Sequence, residues 1–151
     1  LVLMLRDAQE LPTLEEDLDA VVKAMIGYFE KINVDAGTVF IRQGEPAGTL
    51  CFLAEGRVTV RLTVSGGSFV RLENVSGAGR VLGEIGFFLG GERTADVLAE
   101  EPSVLFCLTR DGLARMEEKD PQAAVLMHRL VANILAERVR RLTKTVRALE
   151  Q

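Results

Sequence analysis

The middle of the chain alternates apolar and polar residues with a period of two, and this pattern restricts the fold more than any other feature. Val58, Val60, Leu62 and Val64 alternate with two threonines and an arginine. A period of two is typical of a strand with one buried face. Ser65-Gly66-Gly67-Ser68 follows, and residues 70–72 alternate again. Because paired glycines suit a tight hairpin turn, the sequence predicts a β-hairpin here.

Further short strand candidates lie on both sides of this hairpin, at 38–42, 49–54, 79–82, 94–98 and 103–108. Each is bounded by Gly, Pro, Asp or Glu. Many short strands separated by glycine turns are typical of a sandwich, a roll or a barrel. We therefore expect a β-rich body over about residues 32–109.

Helical patterns flank this body. Thr13 and Glu16 have the spacing of a capping box, and an apolar face follows through residues 14–30. Helical spacing resumes after Thr109 and breaks at Asp120-Pro121, where Asp suits the N-cap and Pro the first position of a new helix. The sequence thus predicts an α+β domain over 14–151, with C-terminal helices at 110–119 and 121–149 and a preceding remnant or linker at 1–13. The last helix carries a short heptad seam: Leu135, Val139, Leu142, Val146 and Leu149.

Composition excludes several classes of function. The formal net charge of −4 argues against sequence-independent nucleic-acid binding, which needs a basic excess. With the single histidine, His128, on a helix, neither a histidine metal cluster nor a Ser–His–Asp arrangement is expected in the β-body. We expect no enzyme activity, no metal and no cofactor. The two cysteines, Cys51 and Cys107, lie in apolar runs and are predicted to be buried free thiols in a reducing compartment.

One segment, residues 79–97, departs from ordinary strand-and-turn composition. Gly83 and Gly86 allow close approach of the backbone to a ligand, and the residues between them suit a turn of helix whose free N–H groups attract an anion. Arg93 adds a planar cationic fork suited to phosphate oxygens. Glu84 accepts hydrogen bonds only, so it suits hydroxyl groups beside that phosphate. The alternative is a surface ion pair between Glu84 and Arg93 on a glycine-rich loop.

Residues 83–87 (Gly-Glu-Ile-Gly-Phe) and 93–97 (Arg-Thr-Ala-Asp-Val) resemble the phosphate-binding cassette of cyclic nucleotide-binding domains. Residues 35–45 and 50–58 resemble the early strands of the same family, so the resemblance covers about residues 14–150. It implies an antiparallel β-roll or jelly-roll, also called a double-stranded β-helix, with an N-terminal helix and two C-terminal helices. The implied ligand is cAMP or cGMP.

The resemblance also implies residue roles. Glu84 would accept from the ribose 2′-hydroxyl, and Arg93 would pair with the exocyclic oxygens of the cyclic phosphate. Gly83 would permit close approach, and the backbone around Ile85, Gly86, Thr94 and Ala95 would complete the cradle.

Two residues depart from the usual family pattern. Glu92 stands where Pro often precedes the arginine, and Asp96 stands where Thr or Ser is usual, which is expected to bring negative charge near the anion site.

The base contacts are less well defined by the resemblance. Thr94 is compatible with either guanine or adenine. Arg138, Val139 and Arg141 on the last helix are candidates for base contacts, and the alternative for each is a solvated basic face.

The segment 99–105 and the helix over 113–141 resemble modules at the C-terminus of bacterial SulP-type anion transporters, where the module follows a STAS domain. This implies a larger parent protein with an effector domain and a cytoplasmic location. The heptad seam would carry the signal to a second copy, as a homodimer, or to the parent. The basic run over 138–147 would meet the acidic stretch over 7–19 or an anionic membrane surface. The rival hypothesis is a β-roll with an empty pocket that serves only for dimerisation.

Overall fold

The computed structural model describes residues 18–77 and 79–150. Helix α1 (Leu18–Ile26) precedes strands β1 (Glu30–Val34), β2 (Val39–Ile41), β3 (Thr49–Glu55), β4 (Arg57–Thr63), β5 (Phe69–Ser76) and β6 (Arg80–Leu82). A short helix α2 (Glu84–Leu89) leads to strands β7 (Asp96–Ala99) and β8 (Ser103–Thr109), which are followed by helices α3 (Arg110–Lys119) and α4 (Pro121–Glu150).

The strands form two antiparallel four-stranded sheets. The first sheet has the order β1-β8-β3-β6 and the second has the order β2-β7-β4-β5. Buried apolar side chains from both sheets, such as Leu53, Val58, Val97 and Leu105, form one core cluster between them. The predicted α+β fold, an antiparallel β-roll with helices at both ends, is confirmed.

Strand β3 of the first sheet is buried along most of its length and on both faces, which explains its continuous apolar run. Leu50 and Phe52 belong to a second core cluster with α1, α3 and α4, whereas Leu53 faces the second sheet. Alternation of side chains along a strand produces this division. Met25, Met116 and Met127 are fully buried in the helical cluster. The helices therefore pack against the first sheet through this second apolar cluster.

The junction between α3 and α4 lies at Asp120-Pro121, as predicted. The Thr109 hydroxyl caps α3 by accepting from the Gly112 N–H at 2.9 Å. Asp120 ends α3, and its carboxylate accepts a hydrogen bond from the Tyr28 hydroxyl. That hydrogen bond, with burial, raises the pKa of Tyr28. The segment after α1 is thus tied to the point where α4 begins.

The prediction of free thiols is wrong. Cys51 of β3 lies directly opposite Cys107 of β8 in the antiparallel register, and the two form a disulfide bond. Both are buried, as expected. The cysteines are 56 residues apart in sequence, so only the strand pairing reveals that they are neighbours. The disulfide gives no support to the predicted reducing compartment.

Several element boundaries differ from the sequence predictions; in particular, α1 ends at Ile26 and not near residue 30. Strand β1 was not predicted, because its residues are mostly exposed and show little alternation. Strand β7 begins at Asp96, two residues later than expected. The predicted capping box, the boundary at residue 13 and the acidic stretch as far as residue 17 lie outside the described residues. Within the described part of the chain, no helix is long and apolar enough to cross a membrane.

Candidate functional site

A cavity of about 250 Å³ lies among the second sheet, β6, the start of α2 and one side chain of α4. Its lining brings together all the cassette residues predicted from the sequence: Gly83, Glu84, Ile85, Gly86, Arg93, Thr94 and Ala95. Valines and leucines of the second sheet form its apolar wall, and Glu73 and Arg138 add polar groups. A mostly apolar cleft with a few convergent polar groups is typical of a small-molecule site.

The two glycines at the start of α2 are required by close contacts. Gly83 has φ of 78°, in the left-handed region, and a Cβ there would lie 2.4 Å from Arg93 Nη1. A Cβ on Gly86 would lie 2.3 Å from the Cβ of Ala47. The first-turn N–H groups of α2 have no acceptor within the helix, and the residues that carry them line the cavity.

Arg93 is held in the cavity wall by neutral acceptors. Its Nη1 donates to the Gly83 carbonyl at 3.0 Å, and its Nη2 donates to the carbonyl and hydroxyl of Thr49 at 2.9 and 2.8 Å. Its backbone N–H donates to the Glu45 carbonyl at 2.8 Å, which fixes the main chain as well. The residue is only 8% exposed.

The charge of Arg93 is not neutralised by an ion pair with any residue that the structure describes. Burial lowers the pKa of its guanidinium, the nearby cation Arg110 lowers it further, and Glu84 opposes both effects. A buried cation that meets only neutral acceptors, beside a second cation, favours an anionic ligand.

Glu84 pairs with Arg138 of α4, so the alternative of a Glu84–Arg93 surface ion pair is wrong. Arg138 Nη1 donates to Glu84 Oε1, and Arg138 Nη2 donates to the Val81 carbonyl at 3.1 Å. The Glu84 side chain is only 13% exposed. Arg138 thus links the outer half of the last helix to the cassette.

Of the three candidates for base contacts, only Arg138 belongs to the cavity lining. In this structure it lies at Glu84. Val139 and Arg141 are exposed on α4. For these two residues, the alternative of a solvated helix face agrees with the structure.

Asp96 does not bring negative charge to the site, so this expectation is wrong. Strand β7 alternates, with Val97 lining the cavity and Asp96 outside the lining. Its Oδ1 accepts from the Gln43 N–H at 2.7 Å, and its Oδ2 lies 3.6 Å from Arg61 Nε. The carboxylate is therefore compensated outside the cavity.

The sequence did not predict Glu73 or the apolar wall of the cavity, and it also missed two residues that hold the cassette in place. Thr49 binds Arg93, and Arg110 Nη2 donates to the carbonyls of Gly86 and Phe87 at 2.8 and 3.2 Å. Because Arg110 lies more than 20 residues from its acceptors and Thr49 lies 44 residues from Arg93, no local motif connects these residues.

Comparison with known proteins decides the family. The model of the cyclic nucleotide-binding domain family matches residues 31–120. The chain belongs to this family of cyclic nucleotide-binding regulatory domains. A solved cyclic nucleotide-binding domain from Methylobacillus flagellatus superposes with a TM-score of 0.79 at 20% identity, covering 91% of this chain and 77% of that one. This likeness is one of fold.

Curated relatives contain a similar segment as a small part of a larger protein. The chain is 38% identical over 104 residues to glutaminase 2 of Bradyrhizobium diazoefficiens, covering 69% of this chain and 16% of that protein. It is 36% identical over 81 residues to the acetyltransferase Pat of Mycolicibacterium smegmatis, covering 54% of this chain and 24% of the acetyltransferase. The chain thus spans less than a quarter of the length of each.

Proposed function

We propose that this domain binds a cyclic nucleotide monophosphate, cAMP or cGMP, without transforming it, and signals the occupancy of its pocket through α4 to a larger parent protein. The observation that carries the proposal is the buried Arg93 guanidinium, which lines a cavity and, among the described residues, bonds only to neutral acceptors. A cyclic phosphate supplies the missing negative charge. Charge-assisted hydrogen bonds from a guanidinium to phosphate oxygens are among the stronger polar contacts.

The remaining lining residues fit the other parts of such a ligand. Backbone N–H groups around Ile85 and Gly86 would add donors to the phosphate, with Thr94 and Ala95 facing it across the cavity. The carboxylate of Glu84 would accept from the ribose 2′-hydroxyl. The apolar wall formed by residues such as Leu72 and Val75 would remove the base from water.

The ion pair between Glu84 and Arg138 supports the proposed relay. A ribose hydroxyl that donates to Glu84 would share this carboxylate with Arg138 or displace Arg138, which links α4 to the cassette. The ligand therefore changes the free energy of one position of α4 relative to another, and its differential affinity for the two positions sets the size of the shift. Such motion would occur at the Asp120-Pro121 junction.

The parent protein belongs to this proposal as well. The glutaminase and acetyltransferase relatives support a module attached to a separate effector domain, and they give no support to the expected SulP-type transporter. The exposed seam on α4 (Val139, Leu142, Val146 and Leu149) suits a homodimer or the parent as partner. We expect a cytoplasmic location, and we expect nucleic acid not to be a partner.

Titration calorimetry with cAMP and cGMP tests the proposal. The wild type should bind at least one of them, and Arg93→Ala should weaken binding by about 2–4 kcal/mol, since it leaves a partly buried phosphate without its charged partner. Arg129→Ala, which removes an exposed arginine of α4, is the matched control and should bind as the wild type does. Absence of binding by the wild type at millimolar ligand would refute the proposal.

The second candidate function is a β-roll that only dimerises. The exposed apolar seam on α4 favours it, because such a stripe suits a partner helix. Under this hypothesis, analytical ultracentrifugation would detect a dimer that neither nucleotide affects, and the same calorimetric titration would be silent.

A further inference from the structure

We propose that Thr49 is a positioning residue for Arg93: its carbonyl and hydroxyl together fix the plane of the guanidinium in the orientation that receives the phosphate. The inference rests on the proposed function and adds a residue that lies outside the cassette. Both oxygens of Thr49 accept from Nη2, at 2.9 and 2.8 Å. Two acceptors on one residue fix an orientation that a single hydrogen bond leaves free to rotate.

Thr49 is itself rigidly placed. It is the first residue of β3 and lies opposite Thr109 of β8 in the register. Because β3 is buried along most of its length, its main chain has little freedom to move. The two oxygens of Thr49 are therefore fixed relative to the cavity before any ligand arrives, which is the condition for preorganised binding.

The bonds to Thr49 and Gly83 decide which donors of Arg93 remain for a ligand. A guanidinium has five N–H groups. Two N–H groups on Nη2 donate to the two oxygens of Thr49, and one N–H group on Nη1 donates to the Gly83 carbonyl. Acceptors among the described residues thus occupy three of the five N–H groups. The second N–H of Nη1 and the N–H of Nε have no acceptor among the described residues, and because they lie on different edges of the guanidinium, a phosphate meets one of them at a time. Loss of the Thr49 hydroxyl would release one Nη2 donor and leave two of the three hydrogen bonds, so the plane would be held less firmly.

The test compares the wild type with Thr49→Val, which keeps the branched shape and the carbonyl but lacks the hydroxyl, and with Thr49→Ser, which keeps the hydroxyl. In calorimetry with cAMP and cGMP, we expect Thr49→Val to lower the affinity by about tenfold and Thr49→Ser to stay within about twofold of the wild type. Thr49→Ala serves as a second variant without a hydroxyl, should the valine disturb the fold. Equal affinity of wild type and a folded variant without the hydroxyl would overturn the proposal.

A second readout needs no ligand. In nitrogen-15 NMR spectra of the free protein, the guanidinium signals of Arg93 should show restricted rotation and slow proton exchange in the wild type and in Thr49→Ser. In Thr49→Val they should exchange faster, and unchanged exchange would overturn the proposal. If the wild type bound neither nucleotide, the proposed function would fail, and these signals would still decide whether Thr49 orients Arg93.

Discussion

Gly83 and Arg93 share one small volume at the start of α2, so a side chain at residue 83 would displace the guanidinium. We predict that Gly83→Ala lowers both nucleotide affinity and stability, the latter by about 1–2 kcal/mol because alanine is strained at a positive φ. Gly67→Ala is the matched control, since Gly67 has a similar φ of +81° and open space around its Cβ position. The control should lose similar stability in urea denaturation and keep its affinity. Equal affinity of the two variants would show that contact with Arg93 is unimportant.

The proposed role of Glu84 leads to a prediction about recognition of the ribose of the nucleotide. If its carboxylate accepts from the 2′-hydroxyl, the wild type should bind a 2′-deoxy cyclic nucleotide more weakly than the ribose form. Glu84→Gln should bind the deoxy analogue about as well as the wild type does, because that analogue lacks the hydroxyl. Competition binding with the ribose and deoxyribose forms measures both differences. A wild type that binds the two forms equally would exclude this role of Glu84.

Among the elements, α4 is the one through which the signal is proposed to leave the domain. Its first half is packed in the helical core, and after Val131 its side chains become largely exposed. Arg138 is then the point at which the outer half contacts the cassette. We predict that saturating nucleotide changes amide hydrogen exchange in α4 around Arg138, and that Arg138→Gln reduces this change. Identical protection of α4 with and without nucleotide would contradict the proposed relay even if binding were found.

Features that neighbouring residues determine could be predicted from the sequence, whereas contacts between residues far apart in the sequence could not. The β4–β5 hairpin, the break at Asp120-Pro121 and the helical turn after Gly83 were predicted because neighbouring residues determine them. The Cys51–Cys107 disulfide and the bonds from Arg93 to Thr49 and from Arg138 to Glu84 join residues more than 40 positions apart. Only sheet register and helix packing bring these residues together. Resemblance identified Arg93 and Glu84, but it did not identify their partners.

At the scale of the whole molecule, the cassette lies where the two core clusters meet. Phe87 of α2 packs into the apolar cluster formed with the helices. Leu82 and Val97 line the cavity and belong to the cluster between the two sheets. A ligand in this cavity therefore contacts the β-body and a short helix that packs on α4 and its neighbours. The hydrogen bond from Tyr28 to Asp120 also connects the segment after α1 to the start of α4. Because of this placement, we expect a ligand bound in the cavity to affect the helices.

The central claim is that a cyclic nucleotide binds in the cassette and that Arg93 holds its phosphate. The most direct measurement is a titration of nitrogen-15-labelled protein with cAMP and cGMP, followed by amide NMR signals, in the wild type and in Arg93→Ala. We expect saturable shifts at Gly83, Gly86, Thr94 and Ala95 in the wild type for at least one nucleotide, with much weaker binding in the variant. Absence of these shifts at millimolar nucleotide, or shifts that saturate identically in Arg93→Ala, would contradict it.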